Sequence, residues 1–364
     1  MKLTRYKLGD LIVQRREKNE GFDVPIRGVS REGFIKPKQQ DADTSIYNVF
    51  YRNDFVFNPA RMELNSIALN LEFDKALCSS LYEVFYVKDQ SIVLPEFLNL
   101  HIKRDEFARH CEYIGSGSAR EYCRVAQISE FDIDLPSIEV QQKIVDANRL
   151  LAKRIDTNKK LIATLEQTAQ TLYRHTFVDN IDLGNLPEGW RMGTIGEEVN
   201  CFDYKRKPLS EEERREIKGE YPYYGAISVV DYINSFIFDG DFILFSEDGA
   251  NIIDEFGHPA LQYVWGKFWV NNHAHVLQGN DIVSTEYLYI ALKNADVHEL
   301  VTGAAQPKIN QQNMNGIQII VPDRQTMTCF SNNVKSLFDV YKLKVSENQA
   351  LTQMQTLLPS KMGC

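Results

Sequence analysis

The sequence predicts an α+β protein built as a tandem repeat, in which two mixed globules alternate with two long helices. Three observations predict it. The chain has 364 residues, too many for one small module at roughly 100–200 residues per domain. Short motifs recur at an offset of 186–187 residues, and a heptad-spaced apolar run closes each half of the chain. The hydrophobic share of 43% and the charged share of 25% suit a soluble globular protein. No stretch approaches the ~18 uninterrupted apolar residues of a membrane helix.

The repeat organises everything else. Leu8-Gly9-Asp10 matches Ile195-Gly196-Glu197 at an offset of 187, and Asn53–Phe57 matches Gly240–Leu244 at the same offset. Gly117 matches Gly303 and Leu135-Pro136 matches Val321-Pro322, both at 186. Pro25 and Gly28 pair with Pro222 and Gly225 at 197, as though the acidic insertion SEEERREIKGE were added and then recovered by a shorter loop. The implied boundaries are 1–135 for the first globule, 136–180 for the first long helix, 181–321 for the second globule and 322–364 for the last helix.

Taken in chain order, SIYNVFY, DFVFN and SSLYEVFYV are short apolar, aromatic-rich runs that predict strands. PEFLNLHIKRDEFARHC follows with a 3.6-residue period and predicts a helix. Beyond Pro136, whose fixed φ suits a helix start, Ile144, Asn148, Leu151, Ile155, Asn158, Ile162, Leu165, Ala169, Leu172 and Thr176 alternate spacings of four and three, the seam of a coiled coil. The loop DNIDLGNLPEGW leads into the second globule. There DGDFILF and GIQIIVP predict strands and TEYLYIALKNADVHELV a helix. After Pro322 the heptad phase recurs at Phe330, Val334, Leu337, Tyr341, Lys344, Asn348, Leu351, Gln355 and Leu358. Polar seam positions such as Asn158, Lys344 and Asn348 cost stability and fix register or partner choice.

Several function classes are excluded. There is no GxxxxGK[ST] phosphate loop and no GxSxG elbow. GSGSAR lacks the spacing and the strand–helix context of a dinucleotide site, and Asn58-Pro59 lacks the following aromatic of an amino-methyltransferase motif. His273-Ala274-His275 lies in a strand-like stretch whose alternation would put both rings on one face, and two histidines alone make a poor metal site. The six cysteines (Cys78, Cys111, Cys123, Cys201, Cys329, Cys364) include no C-x-x-C pair, so reduced thiols are expected, with no metal. MKLTRYKLGD has neither the apolar run nor the cleavage site of a signal peptide, which makes the cytoplasm the expected compartment.

The net charge of −9 argues against a nucleic-acid partner at first sight. The acid is concentrated, however: residues 181–321 carry 10 Lys+Arg against 21 Asp+Glu. Phosphates are met by Arg and Lys, and base edges are read by Arg on guanine and by Asn or Gln on adenine. The first globule offers Arg15, Arg16, Lys18, Arg27, Arg31, Lys36, Lys38, Arg120 and Arg124. The second offers Lys205, Arg206, Lys207, Lys267, Asn271, Asn272, Gln306, Lys308, Asn310, Gln311, Gln312 and Asn313, many of them in the amide-dense run GAAQPKINQQNMNG. Their placement at equivalent points of both repeats predicts contact with DNA.

LPSIEVQQKIV, followed by LLAKRIDTNKKLIATLEQTAQTLYRHTFVD and LPEGW, resembles the central region of specificity subunits of type I restriction–modification enzymes. That pattern is a proline-containing step, E-x-Q-x-x-I-V, and a long N-x-x-I-x-x-L helix. GAAQPKINQQNMNGIQIIVP is similar to the G-[ST]-x-Q-x-x-I segment that precedes the same step in the family's second half. The resemblance spans nearly the whole chain. It implies two target recognition domains in tandem repeat, separated by two long antiparallel coiled-coil helices with pseudo-two-fold symmetry. Each domain would read half of a bipartite, asymmetric double-stranded DNA target. The chain would have no activity and no cofactor of its own, and would recruit two methylase subunits holding S-adenosylmethionine and, through them, nuclease and translocase subunits. Two departures stand out. VPDRQTMTCFSNNV has lost most of E-x-Q-x-x-I, which implies unequal contacts to the two methylases, and Arg120 stands where the second half has Gln306, which implies that the halves read different bases. Two alternatives remain: a recognition subunit whose partner fuses nuclease and methylase, and a coiled-coil scaffold that binds only protein.

Overall fold

The computed structural model describes residues 2–37, 43–115, 122–179, 181–249, 251–303 and 306–361. They divide into two compact units, residues 1–156 with 349–364, and residues 157–348. Each long helix therefore contributes to both units and does not stand apart from the globules.

In the first unit the main sheet runs in the order Ile12–Arg15, Glu83–Val87, Asp54–Phe57, Ile67–Leu69, all antiparallel. The DFVF strand is apolar without alternation because both of its faces are covered. Phe55 and Phe57 pack with Phe85, Leu11 and the helical layer, whereas Val56 packs with Val84, Ala68 and Phe50 on the other side. Thr4–Lys7 pairs antiparallel with Asp132–Leu135 and closes the unit. The second unit repeats this plan: Asn200–Cys201, Ala274–Gln278, Phe242–Ser246 and Leu261–Val264 form its main sheet, and Arg191–Thr194 pairs with Gln318–Val321. The acidic insertion folds as the helix Glu211–Glu216, begun by a capping box between Ser210 and Glu213.

The repeated glycine has a packing cause. A Cβ on Gly9 would meet the Cβ of Ser129 at 2.8 Å, and one on Gly196 would meet the Cβ of Asn315 at 2.9 Å. In both units a short helix at the start of the fold lies hard against the chain just before the closing strand, and only glycine admits that approach.

The run 95–111 corrects the expectation of one helix. It divides into Pro95–Ile102 and Asp105–Gly115. At the break Lys103 turns inward, its Nζ donating to the carbonyls of Arg31 at 2.8 Å and Ile67 at 2.6 Å, and Asn65 takes the Ile102 carbonyl. In the second unit the helix ends at Lys293, short of the predicted 301, and a separate 3-10 turn spans His298–Leu300.

The long helices run Ile138–Phe177 and Arg324–Lys361, each beginning two residues past its proline. Their pairing is antiparallel within each unit. In the first, Gln355 Nε2 lies 3.2 Å from Asn148 Oδ1, and Leu358 packs on the core that holds Ile144. In the second, Asn158, 1% exposed, donates to Asn348 Oδ1 at 3.0 Å, while further along Phe177 meets Phe330 with ring centroids 5.0 Å apart. The predicted seam positions Leu151, Ile155, Ile162, Leu165, Leu337, Tyr341 and Leu351 are partly buried, and Val334 is fully buried. Leu172 is the correction: it is 36% exposed. From Ala169 the buried line continues through Tyr173 and Phe177, because both rings pack against Tyr287 at 5.6 and 5.0 Å.

The E-x-Q motif also has an internal explanation. Gln141 is buried, donates to the carbonyls of Ile92 and Pro136 and accepts the Leu94 N–H, which satisfies the chain at the entry to the helix Pro95–Ile102. At the equivalent position the second unit has Met327, buried in an apolar cluster. Loss of the motif thus exchanges a polar clamp for apolar packing inside the unit. No helix among the described residues is long and apolar enough to cross a membrane.

Candidate nucleic-acid interface

In the first unit a cleft of about 670 Å³ is lined by the end of the strand Ile12–Arg15 and its continuation, Asn48, the segment 58–60, the turn 80–83, and the residues around the short helix Val125–Ile128. Arg15, Arg16, Lys18 and Arg124 line it, with Asn58, Tyr82, Glu83 and Tyr122. Glu83 organises one wall. Its carboxylate accepts the Val125 N–H at 2.7 Å and Arg124 Nη1 at 3.2 Å, so one edge of the Arg124 guanidinium is held while 59% of the side chain faces solvent. Arg16 is exposed and donates twice to Gln14 Oε1. Lys18 Nζ donates to Asn48 Oδ1 at 2.7 Å. Asn58 caps the 3-10 helix Pro59–Leu64 by accepting the Ala60 N–H, which accounts for the Asn-Pro pair without methyl-transfer chemistry.

Arg15 departs from its expected role. It donates to Asp54 through Nε at 2.7 Å and Nη2 at 3.2 Å, and its guanidinium lies 4.8 and 4.7 Å from the rings of Tyr51 and Tyr86. Asp54 is buried, and burial pushes its carboxyl upward against the opposing pull of Arg15 and the Tyr51 N–H. The pair is a strut, because separating it would leave a buried charge without a partner. Arg27 lies over Phe73 at 4.7 Å, Arg31 sits in the turn of the hairpin Gly28–Ser30/Gly33–Ile35, and Lys36 follows its second strand. None of these three lines the cleft. Lys38, Gly117 and Arg120 lie outside the described residues.

In the second unit the turn Asp203–Lys205, the turn 271–273 and the segment 306–310 converge on Glu247. Lys308 Nζ lies 2.8 Å from Glu247 Oε1, Arg206 Nη1 donates to Glu247 Oε2 at 2.6 Å, and the Ile309 N–H donates to the Glu247 carbonyl at 2.9 Å. Arg206 also pairs with Asp203 at 3.2 Å and is only 15% exposed. Like Arg15 it is a strut, which corrects its assignment to DNA. Paired backbone bonds between Thr302 and Lys308 close a hairpin that presents the exposed Gln306. Gly303 adopts φ +87°, where a Cβ would meet the Gln306 carbonyl at 2.5 Å. Asn310 and Asn313 serve the fold: Asn310 accepts the Asn313 N–H at the start of Gln311–Asn315, and Asn313 donates to the Leu300 carbonyl. Lys205, Lys207, Asn272, Gln311 and Gln312 are exposed, and Asn271 is partly so. Lys267 is not brought into the cluster. It begins the strand Lys267–Val270 and faces the Phe236 ring, whereas residues 271–273 leave the strand's other end.

The two histidines do not act as a pair. His273 precedes the strand Ala274–Gln278 and meets Asp248 at 2.8 Å, whereas His275 is buried against Asp203 at 2.6 Å. Among the described residues no group of three His, Cys, Asp or Glu could hold a metal. Sequence inspection missed Glu83, Asp203 and Glu247, the carboxylates that determine which cations stay available. Only the H-x-H pattern drew attention to His275.

A family model for the type I restriction modification DNA specificity domain matches residues 35–167 and again residues 187–353. The chain belongs to this family. The second copy includes the whole of its candidate surface and the first includes all of its own but the segment 14–18, and each includes part of one long helix. Among specificity-family relatives, a putative type I restriction enzyme specificity subunit of Haemophilus influenzae, S.HindORF215P, is 30% identical over 153 residues, 42% of this chain and 38% of the relative. The MjaIX specificity subunit of Methanocaldococcus jannaschii is 23% identical over 291 residues, 71% of this chain and 64% of the relative. The matches thus span less than two thirds of the length of these relatives. The type I restriction–modification S subunit from M. genitalium shares the fold, with a TM-score of 0.58 and 17% identity over 99% of this chain and 96% of that one.

Proposed function

We propose that this chain is the DNA sequence-recognition subunit of a type I restriction–modification complex, without catalytic activity of its own. One observation carries the proposal: a DNA specificity domain occurs twice, and at the equivalent place each copy presents exposed cations or amides on a different set of side chains. The recognition domains are residues 1–135 and 181–321, and each reads one half of a bipartite, asymmetric target in double-stranded DNA. The long helices recruit two methylase subunits, which hold the methyl donor S-adenosylmethionine, and through them the nuclease and translocase subunits. The compartment is the cytoplasm.

The test is methylation profiling of the chain co-expressed with its methylase partner. A lost bidentate base contact costs ~1–3 kcal/mol at one base pair. Arg124→Ala should therefore relax one half-site and Gln306→Ala the other. Equal relaxation of both half-sites by either change would overturn the division of labour, and sequence-independent methylation by the unaltered complex would overturn the reading as a whole.

A further inference from the structure

We propose that Leu81 is a specificity-determining residue of the first recognition surface: it selects thymine at one position of the half-site by covering the C5-methyl group in the major groove. The inference rests on the DNA-reading role proposed above.

An exposed leucine by itself is ordinary. Leu81 is set apart by where it stands and how it is held. It is 78% exposed and lines the same cleft as Arg16, Lys18 and Arg124. Its turn, residues 79–82, joins the strands Lys75–Cys78 and Glu83–Val87. Within the turn the Tyr82 N–H donates to the Ser79 carbonyl at 3.0 Å and the Leu81 N–H to Ser79 Oγ at 3.3 Å. Asn48 holds it from the neighbouring strand: its Nδ2 donates to the Tyr82 carbonyl at 2.7 Å and to the Ser79 carbonyl at 3.4 Å, while its Oδ1 accepts Lys18 Nζ. Immediately after the turn the buried Glu83 accepts the Val125 N–H. The backbone that carries Leu81 is therefore fixed before any ligand arrives, and little ordering is left to do on binding.

The second unit shows what this position is for. Glu83–Val87 and Ala274–Gln278 occupy the same place in the two main sheets, each between the sheet's first strand and its DFVF or FILFS strand. The turn that leads into Ala274–Gln278 is 271–273, with Asn271 partly exposed and Asn272 exposed. One structural position thus presents amides in one unit and a leucine in the other. An amide reads adenine through paired hydrogen bonds, whereas leucine has neither donor nor acceptor, and on the base edges of the major groove the apolar group is the thymine methyl. Laid over guanine N7 and O6, adenine N7 and N6 or cytosine N4, Leu81 would strip water from a polar group and return no hydrogen bond. Over thymine it buries apolar surface on both sides. The cations of the cleft supply the phosphate contacts that hold the duplex in register, which carry no sequence information themselves.

The experiment uses the full chain in complex with its methylase. In a duplex carrying the target, each thymine of both half-sites is replaced in turn by deoxyuridine, which removes the C5-methyl and nothing else. At one position affinity should fall by about fourfold, the worth of one buried methyl-sized group. In Leu81→Ala the thymine and uracil duplexes should bind alike at that position, with every other position as in the unaltered chain. Because Leu81 is exposed, this variant should keep its thermal unfolding. Leu71→Ala, at an exposed leucine that does not line the cleft, should keep the thymine preference. Three results would overturn the proposal and leave DNA reading in place: no thymine whose methyl matters, a methyl effect that survives Leu81→Ala, or an equal loss of affinity for thymine and uracil duplexes in Leu81→Ala, the mark of a leucine wedged between base steps. Binding without discrimination at either half-site would overturn the DNA-reading role, and this inference with it.

Discussion

The first unit offers an open cleft whose cations Arg16, Lys18 and Arg124 keep an exposed face, whereas the second draws Arg206, Lys308 and His275 into a network around Asp203 and Glu247 and leaves amides exposed beside Lys205 and Lys207. Sheet order, closing strand pair and the glycine approach are the same in both. The difference teaches that this scaffold is specified by buried contacts, while the chemistry at its loops varies without cost to the fold.

The same contrast extends to the helix pair, where it gives the largest expected effect. The second unit packs its part of the pair with tilted and edge-to-face aromatics, and the first with Ile144, Val145 and Leu358. Phe177 is fully buried between Trp190, Tyr287 and Phe330, so Phe177→Ala should cost about 3–5 kcal/mol and Ile144→Val about 0.5–1.5 kcal/mol. Denaturant unfolding followed for each unit measures both. Equal losses would break the contrast.

A buried neutral ring should give the first unit a pH effect of its own. Burial pushes His101 from its ordinary 6.5 down to about 4. The folded chain therefore keeps this ring neutral while the unfolded chain takes up a proton below about 6.5. The contribution to stability is complete above that pH and is lost as pH falls toward 4, with a slope of up to about 1.4 kcal/mol per pH unit. His101→Leu should flatten this acid limb for the first unit and leave the second unit's transition where it was.

Smaller effects sharpen the comparison at the surfaces. Glu83→Ala strands the Val125 N–H and releases Arg124, so it should cost about 1–3 kcal/mol and weaken the half-site that Arg124 reads without touching the other. Arg16→Ala should weaken binding to all sequences alike. If Arg16 meets one phosphate, the slope of log affinity against log salt should fall by about 0.9. A loss confined to particular bases would make Arg16 a base reader instead.

Much of the architecture is legible from local rules. Pro136 and Pro322 mark helix starts because proline's φ and missing N–H suit a first turn. The heptad phase follows the buried line from Ile144 through Ala169 and breaks at Leu172, where rings from elsewhere in the unit, above all Tyr287, select Tyr173 and Phe177. The helix division at Lys103 was hidden for a related reason: the carbonyls that hold Lys103 belong to Arg31 and Ile67, on other segments.

What the sequence by itself determined is therefore the tandem repeat, the order of its elements, the two long helices and the class of side chain each surface carries, since periodicity, proline geometry and the close approach of glycine act within short stretches of chain. Only the tertiary structure decided which of those side chains remain available. Arg15 meets Asp54 across 39 residues, Arg206 meets Glu247 across 41, and His275 meets Asp203 across 72. An arginine at a loop and an arginine inside an ion pair are the same letter, and burial beside a distant carboxylate makes one a strut and leaves the other free to meet DNA.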